Sequence, residues 1–193
     1  MAASDVGSAH ESPSSSRLSA GFDGAWLRAY AGIWLLTLGA AATVAIVGRP
    51  LSVPIHRLLG LRLDPSNNPS PGVTRVLRLA AHNIPIVAWP LLLGILGAQR
   101  HRLGRALADC LVLACIAANV VPVGAAFGAY GVALLPYVPQ LPLEWAALAL
   151  GAGAWMNQRR NGMSAREGLM RLTPIACLLV CAGVIETAAV PHR

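Results

Sequence analysis

The sequence predicts an all-α fold, a polytopic transmembrane helical bundle of about five spans with a proline-rich break before the fourth. Three observations carry this. Of the 193 residues 55% are hydrophobic and only 12% charged, about half the charged share of a water-soluble domain. The apolar residues gather in runs at or near bilayer length. The fifteen basic residues, all Arg, lie mostly in the connections between those runs, as the basic flanks of membrane spans do.

Residues 1–24 are rich in Ser, Ala and Gly without apolar periodicity. They are expected to form a flexible tail, because they bury too little to offset ordering. Residues 25–193 then form a single transmembrane domain. Its first span runs from about Ala29 to Val47, with Trp26 and Tyr30 expected at the interface. A connection of about thirty residues follows Arg49 and Pro50. Its first part, around His56 and Arg57, suits the headgroup plane; Asp64 to Gly72 has turn chemistry. Val73 to Leu79, with Arg75 and Arg78, reads as a short amphipathic turn into the second span, Ala80 to Ala98, which Pro85 and Pro90 are expected to kink.

The third span, about Ala106 to Tyr130, carries Asp109 near its start, Asn119 and Pro122 inside, and Gly124 and Gly128 at a spacing that allows close helix contact. Asp109 is expected to pair with Arg102 or Arg105 at helical spacing. The break holds Pro136, Pro139 and Pro142, each lacking a backbone donor. A fourth run, Leu143 to Met156, has only 14 residues and so is short for a full crossing, which suggests that it begins inside the protein. Asn157 to Arg171 reads as a basic connection, and the fifth span runs from Leu172 to Val190.

Five crossings put the termini on opposite sides. Nine arginines then fall on the N-terminal side and six on the other, which favours a cytoplasmic N-terminus and an outside C-terminus in the cell membrane. The net charge of +7 is accounted for by lipid and topology rather than by nucleic acid. Cys110, Cys115, Cys177 and Cys181 lie inside apolar runs without a CxxC pair, as small hydrophobes do. HExxH, GxSxG and a phosphate-binding Gly-rich loop ending in Lys are all missing. No enzyme activity, cofactor or metal is expected.

Ionisable groups at membrane depth are costly and face protein or a wet cavity. On the five-span reading Glu144 opens span four and Glu186 closes span five, both on the outer side, with His82 and Asn83 opening span two there. One reading is a small polar cluster of Glu144, Glu186, His82 and Asn83 near the outer leaflet, receiving a cation, a proton or a partner's polar group. The other is that these acids are hydrated helix ends, Glu144 being favoured by the helix dipole. Asn119 and Gln140 complete the polar candidates.

Several of these residues resemble the stage II sporulation protein M family of integral membrane proteins. Its most recognisable feature is Pro-His-Gly, two residues, Glu, then a helix of small residues. Pro139 and Glu144 match, followed by Ala146, Ala147 and Ala149, while Gln140 stands for His and Leu141 for Gly. Ile185, Glu186 and Pro191 are similar to the close of the family's last helix, and Asn83, Asn119 and Gly124 to polar and small positions in earlier spans, with Val120 replacing a usual Gly. The resemblance covers about Ala80 to Pro191 and implies a divergent, non-enzymatic membrane scaffold. Its partners would be membrane lipids and other membrane or cell-envelope proteins; a homo-oligomer stays open. The alternative is a permease or transporter subunit whose polar cluster binds a cation or small solute.

Overall fold

The computed structural model describes residues 14–48, 72–96, 101–161 and 164–189. The tail before residue 14, the headgroup-plane segment around His56 and most of the loop from Asp64 lie outside the described residues. All described elements are helical: α1 (Ser14–Val47), α2 (Val73–Ile95), α3 (Arg102–Tyr130), a 3-10 helix (Gly131–Tyr137), α4 (Leu141–Asn161) and α5 (Ala165–Ala189). Four segments are long and apolar enough to cross a membrane, namely Gly24–Val47, Val73–Ile95, Arg102–Pro136 and Arg166–Ala189. The expected fifth run, in α4, does not reach that standard.

Three boundaries differ from the sequence reading. Helix α1 begins at Ser14, inside the expected tail. Extending a helix that tertiary contacts already stabilise costs little per residue. Helix α4 has 21 residues rather than 14, continuing through Asn157 and Gln158. Helix α5 starts at Ala165, which removes most of the expected connection. The Ser164 hydroxyl accepts from the Glu167 backbone N–H at 3.2 Å, and the Glu167 carboxylate accepts from the Ser164 N–H at 2.8 Å. That reciprocal cap fixes the helix start. Helix α2 runs on through both Pro85 and Pro90.

Glycine contacts give the direction of each helix. A Cβ on Gly124 would strike the Thr37 carbonyl and come within 2.8 Å of the Ala40 Cβ; one on Gly128 would strike the Ala41 carbonyl and come within 2.8 Å of the Val44 Cβ. The two glycines of α3 therefore seat α1, and the two helices run parallel. Trp26 lies against Gly153 and Trp34 against Trp145, so α1 and α4 are antiparallel. Val87 meets Gly151, and Gly94 meets Gln158, so α2 and α4 are parallel. Val76 packs on Gly183 near the end of α5, making α2 and α5 antiparallel. Thus α1, α3 and α5 run one way, α2 and α4 the other.

Helix α4 lies between the α1–α3 pair and the α2–α5 pair. From Trp145 to Trp155 nearly every residue is buried, and most are Ala or Gly, which lets neighbouring backbones approach closely. The helix that is least apolar in composition is thus the most enclosed. Outward faces carry Leu35, Ile46, Leu96, Leu103 and Leu113, a surface suited to hydrocarbon and unsuited to water. Trp26 and Tyr30 continue with Trp34 as a row of ring contacts along α1 facing α4, and the Trp26 indole N–H donates to the Ala146 carbonyl at 3.3 Å.

At the other end of α4 the Trp155 indole N–H donates to Asp109 Oδ1 at 2.9 Å, and Arg159 pairs with Asp109 Oδ2 at 3.1 Å. The expected partners were Arg102 and Arg105 along the same helix. The tertiary pair takes their place because α4 brings a donor and a cation to the carboxylate together.

Candidate functional site

The site is built where α4 begins. The chain leaves α3 at Tyr130, turns at Gly131 with φ of 59°, passes through the 3-10 helix and restarts at Leu141. Leu135, Val138, Pro139, Leu141 and Pro142 form an apolar groove with Trp34, Thr37, Leu38 and Ala41 of α1. Helix α1 continues beyond Ala41 to Val47, so the break folds back alongside α1 instead of capping the bundle. The Gln140 carbonyl accepts from the Leu143 and Glu144 N–H groups at 3.0 and 3.2 Å. Pro142 falls in the first turn, where a missing N–H costs nothing.

Leu141, Glu144, Trp145 and Leu148 follow at helical spacing and share one face of α4. That face lines a cavity of about 150 Å³, bordered by Asn83, Ile86 and Val87 of α2, Asn119 and Val123 of α3, and Leu179 of α5. The Asn119 amide N–H donates to the Cys115 carbonyl at 2.8 Å, which directs its use as a donor back along α3 and leaves its oxygen as an acceptor.

The depth of this cavity differs from the sequence reading, which put Glu144 near the outer leaflet. Asn83, Asn119 and Leu179 each lie close to the midpoint of their own apolar segments, and Trp145 touches Trp34, close to the midpoint of the first. Glu144 is therefore level with the centres of the four apolar segments. The reason is the inward fold of the break, which starts α4 well below the end of α1.

Glu144, Asn83 and Asn119 come together on the cavity wall. Glu186 is within electrostatic reach of Glu144 and pairs with Arg75 of α2 at 3.9 Å, an ion pair too long for a hydrogen bond. Gln140 is buried just before α4 and is not among the lining residues. His82 is exposed and also lies off the cavity wall. Sequence reasoning missed two contributors. Trp145 adds an aromatic wall, and its buried indole N–H has no acceptor within the protein; its place directly after Glu144 was the available signal. Arg75 was read only as part of an amphipathic turn. Among the described residues no group of three or more His, Cys, Asp or Glu side chains is gathered as a metal site. The four cysteines are free thiols.

No family model matches the chain, and no curated protein or solved structure matches it. Fold and site together define a class: an all-helical protein with four membrane-length apolar segments packed around a fifth helix that carries an interior carboxylate.

Proposed function

We propose that the chain is a five-crossing protein of the cell membrane, with its N-terminus in the cytoplasm and C-terminus outside, acting as a scaffold or assembly protein of the stage II sporulation protein M kind. Helix α4 is the fifth crossing; enclosed by its neighbours, it needs no lipid-compatible surface of its own. The observation that carries the reading is the way polar pairs lock this helix and its neighbours in register. Asp109 ties α3 to the far end of α4, and Arg75 ties α2 to Glu186 of α5. Between Glu144 and Gln158 the Val87 backbone packs closely on Gly151, and Leu91 and Leu148 are buried. A bundle packed in fixed register suits an anchoring platform for membrane or cell-envelope partners better than a conduit.

Affinity purification of the full-length chain from its own membrane tests this. A stoichiometric membrane or envelope partner is expected, and Glu144→Gln is expected to lower either its recovery or the chain's abundance. Unchanged recovery and abundance together would defeat the role given to Glu144. The permease reading is favoured by one specific feature, the helix that starts at mid-depth beside a cavity, as broken helices do in transporters. Solute accumulation in vesicles containing only this chain would select it.

A further inference from the structure

We propose that Glu144 is a proton-binding site: its carboxyl takes up a proton near neutral pH, and the Arg75–Glu186 pair tunes how tightly that proton is held. This goes beyond the scaffold reading and does not depend on it.

The acids of the bundle are treated differently. Asp109 has Arg159 and the Trp155 N–H, Glu186 has Arg75, and Glu167 has Ser164. Glu144 takes part in no ion pair among the described residues. The elements packed around it show why. Beyond Arg28, α1 carries no charge up to Val47, and α3 carries none between Asp109 and Tyr130. Helix α4 has none from Trp145 to Gln158, and its Arg159 is spent on Asp109. Helix α2 offers Arg75, engaged by Glu186 of α5, while its Arg78 and His82 are exposed. A bare carboxylate level with the centres of apolar helices is costly, and an acid in that position becomes neutral by taking a proton when no counter-ion reaches it.

The walls fit a proton better than a metal ion. A neutral carboxyl has one O–H to donate and needs one acceptor. Asn119 supplies it: its N–H is turned to the Cys115 carbonyl, which leaves its oxygen for the cavity that it shares with Glu144. A hard metal ion takes six or so oxygen ligands, whereas among the described lining residues only Glu144, Asn83 and Asn119 carry a side-chain oxygen. At about 150 Å³ the cavity is large enough for water, through which a proton can reach the carboxyl.

The tuning follows from the position of the ion pair. Leu179 is on the cavity wall, and Glu186 comes seven residues later on the same stripe of α5, about 10 Å nearer the helix end. It lies within electrostatic reach of Glu144. With Arg75 at 3.9 Å the pair presents little net charge, so removing either member would expose Glu144 to the charge of the other.

Infrared titration of the full-length protein, in a detergent without carbonyl groups, tests the assignment through the C=O stretch that only a protonated carboxyl shows. A band is expected at about pH 6, where carboxyls in water are ionised. It should fade as the pH rises and be absent from Glu144→Gln. Arg75→Gln removes the cation beside Glu186 and is expected to raise the midpoint of the fading by about half a pH unit or more, whereas Glu186→Gln removes the anion beside Arg75 and is expected to lower it by a similar amount. The proton site is overturned if the parent shows no such band, or if the band survives in Glu144→Gln. The tuning is overturned if the two exchanges move the midpoint the same way or not at all. Should Glu144→Gln fail to fold, Glu144→Asp replaces it: isotopic labelling of glutamate must move the parent's band and leave the variant's in place. Should one of the tuning variants fail to fold, the sign of the other decides.

Discussion

Asp109 and Glu144 are both carboxylates of the same bundle, yet their surroundings are opposite. Asp109, at the start of α3, is held by an indole N–H at 2.9 Å and a guanidinium at 3.1 Å, both from α4. Glu144, one turn into α4, faces a cavity across from two asparagines and has no ion pair among the described residues. The first arrangement spends a charge on fastening helices. The second keeps a charge available. Position along α4 separates the two roles, and the small-residue stretch between them, centred on Gly151, holds the two environments apart.

The largest effect is expected where that separation is removed. Gly151→Leu would push against the Val87 carbonyl, which a Cβ alone already strikes, forcing α2 away from α4; a loss of about 3 kcal/mol or more should show as a collapse of the apparent melting temperature in detergent. Asp109→Ala comes next. It leaves the Trp155 N–H and Arg159 without their acceptor, and a loss of about 2 kcal/mol is expected by the same measurement, the partial exposure of Arg159 limiting the ionic share. Gly94→Ala should cost about 1 kcal/mol, because the added methyl meets the end of the buried Gln158 side chain. Gln158→Ala in the same chain should restore stability, and a double-mutant cycle would measure the coupling. Glu144→Gln should change stability least, within about 0.5 kcal/mol, since its carboxylate fastens nothing. If Glu144→Gln proved as damaging as Asp109→Ala, the contrast between a fastening acid and an available one would be lost.

Much of this was legible in the chain. Runs of apolar residues gave the helices and their alternation, and Glu144 and Asn83, two of the polar residues grouped on that basis, do meet on one cavity. The cluster itself was read too generously, since neither His82 nor Glu186 lines the cavity. Neighbours on a helix point about 100° apart, so with Asn83 on the cavity His82 must face outward, as it does. Depth was misjudged for a different reason. Three prolines announce an interruption, but whether the interruption caps the bundle or folds into it is decided by contacts with α1, more than ninety positions earlier. The same holds for Asp109, whose local partners were visible at helical spacing and whose actual ones lie on α4. The early start of α5 was readable and overlooked, since Ser164 and Glu167 have the spacing of a reciprocal cap. Helix α4 was undersized because counting apolar residues assumes contact with lipid, and Asn157 and Gln158 are buried against protein.

The enclosure of α4 also bears on how the protein is made. A segment so poor in large apolar residues and carrying Glu144 and Arg159 gains little on entering hydrocarbon alone, where charged positions are penalised by about 2.5–3.5 kcal/mol each. If it is the proposed fifth crossing, its entry relies on the helices it packs against, α1 and α2 before it and α5 after it. Ribosome-stalled chains that end before α5 should therefore leave this helix outside the bilayer, and the protein would complete its threading only when its last segment emerges.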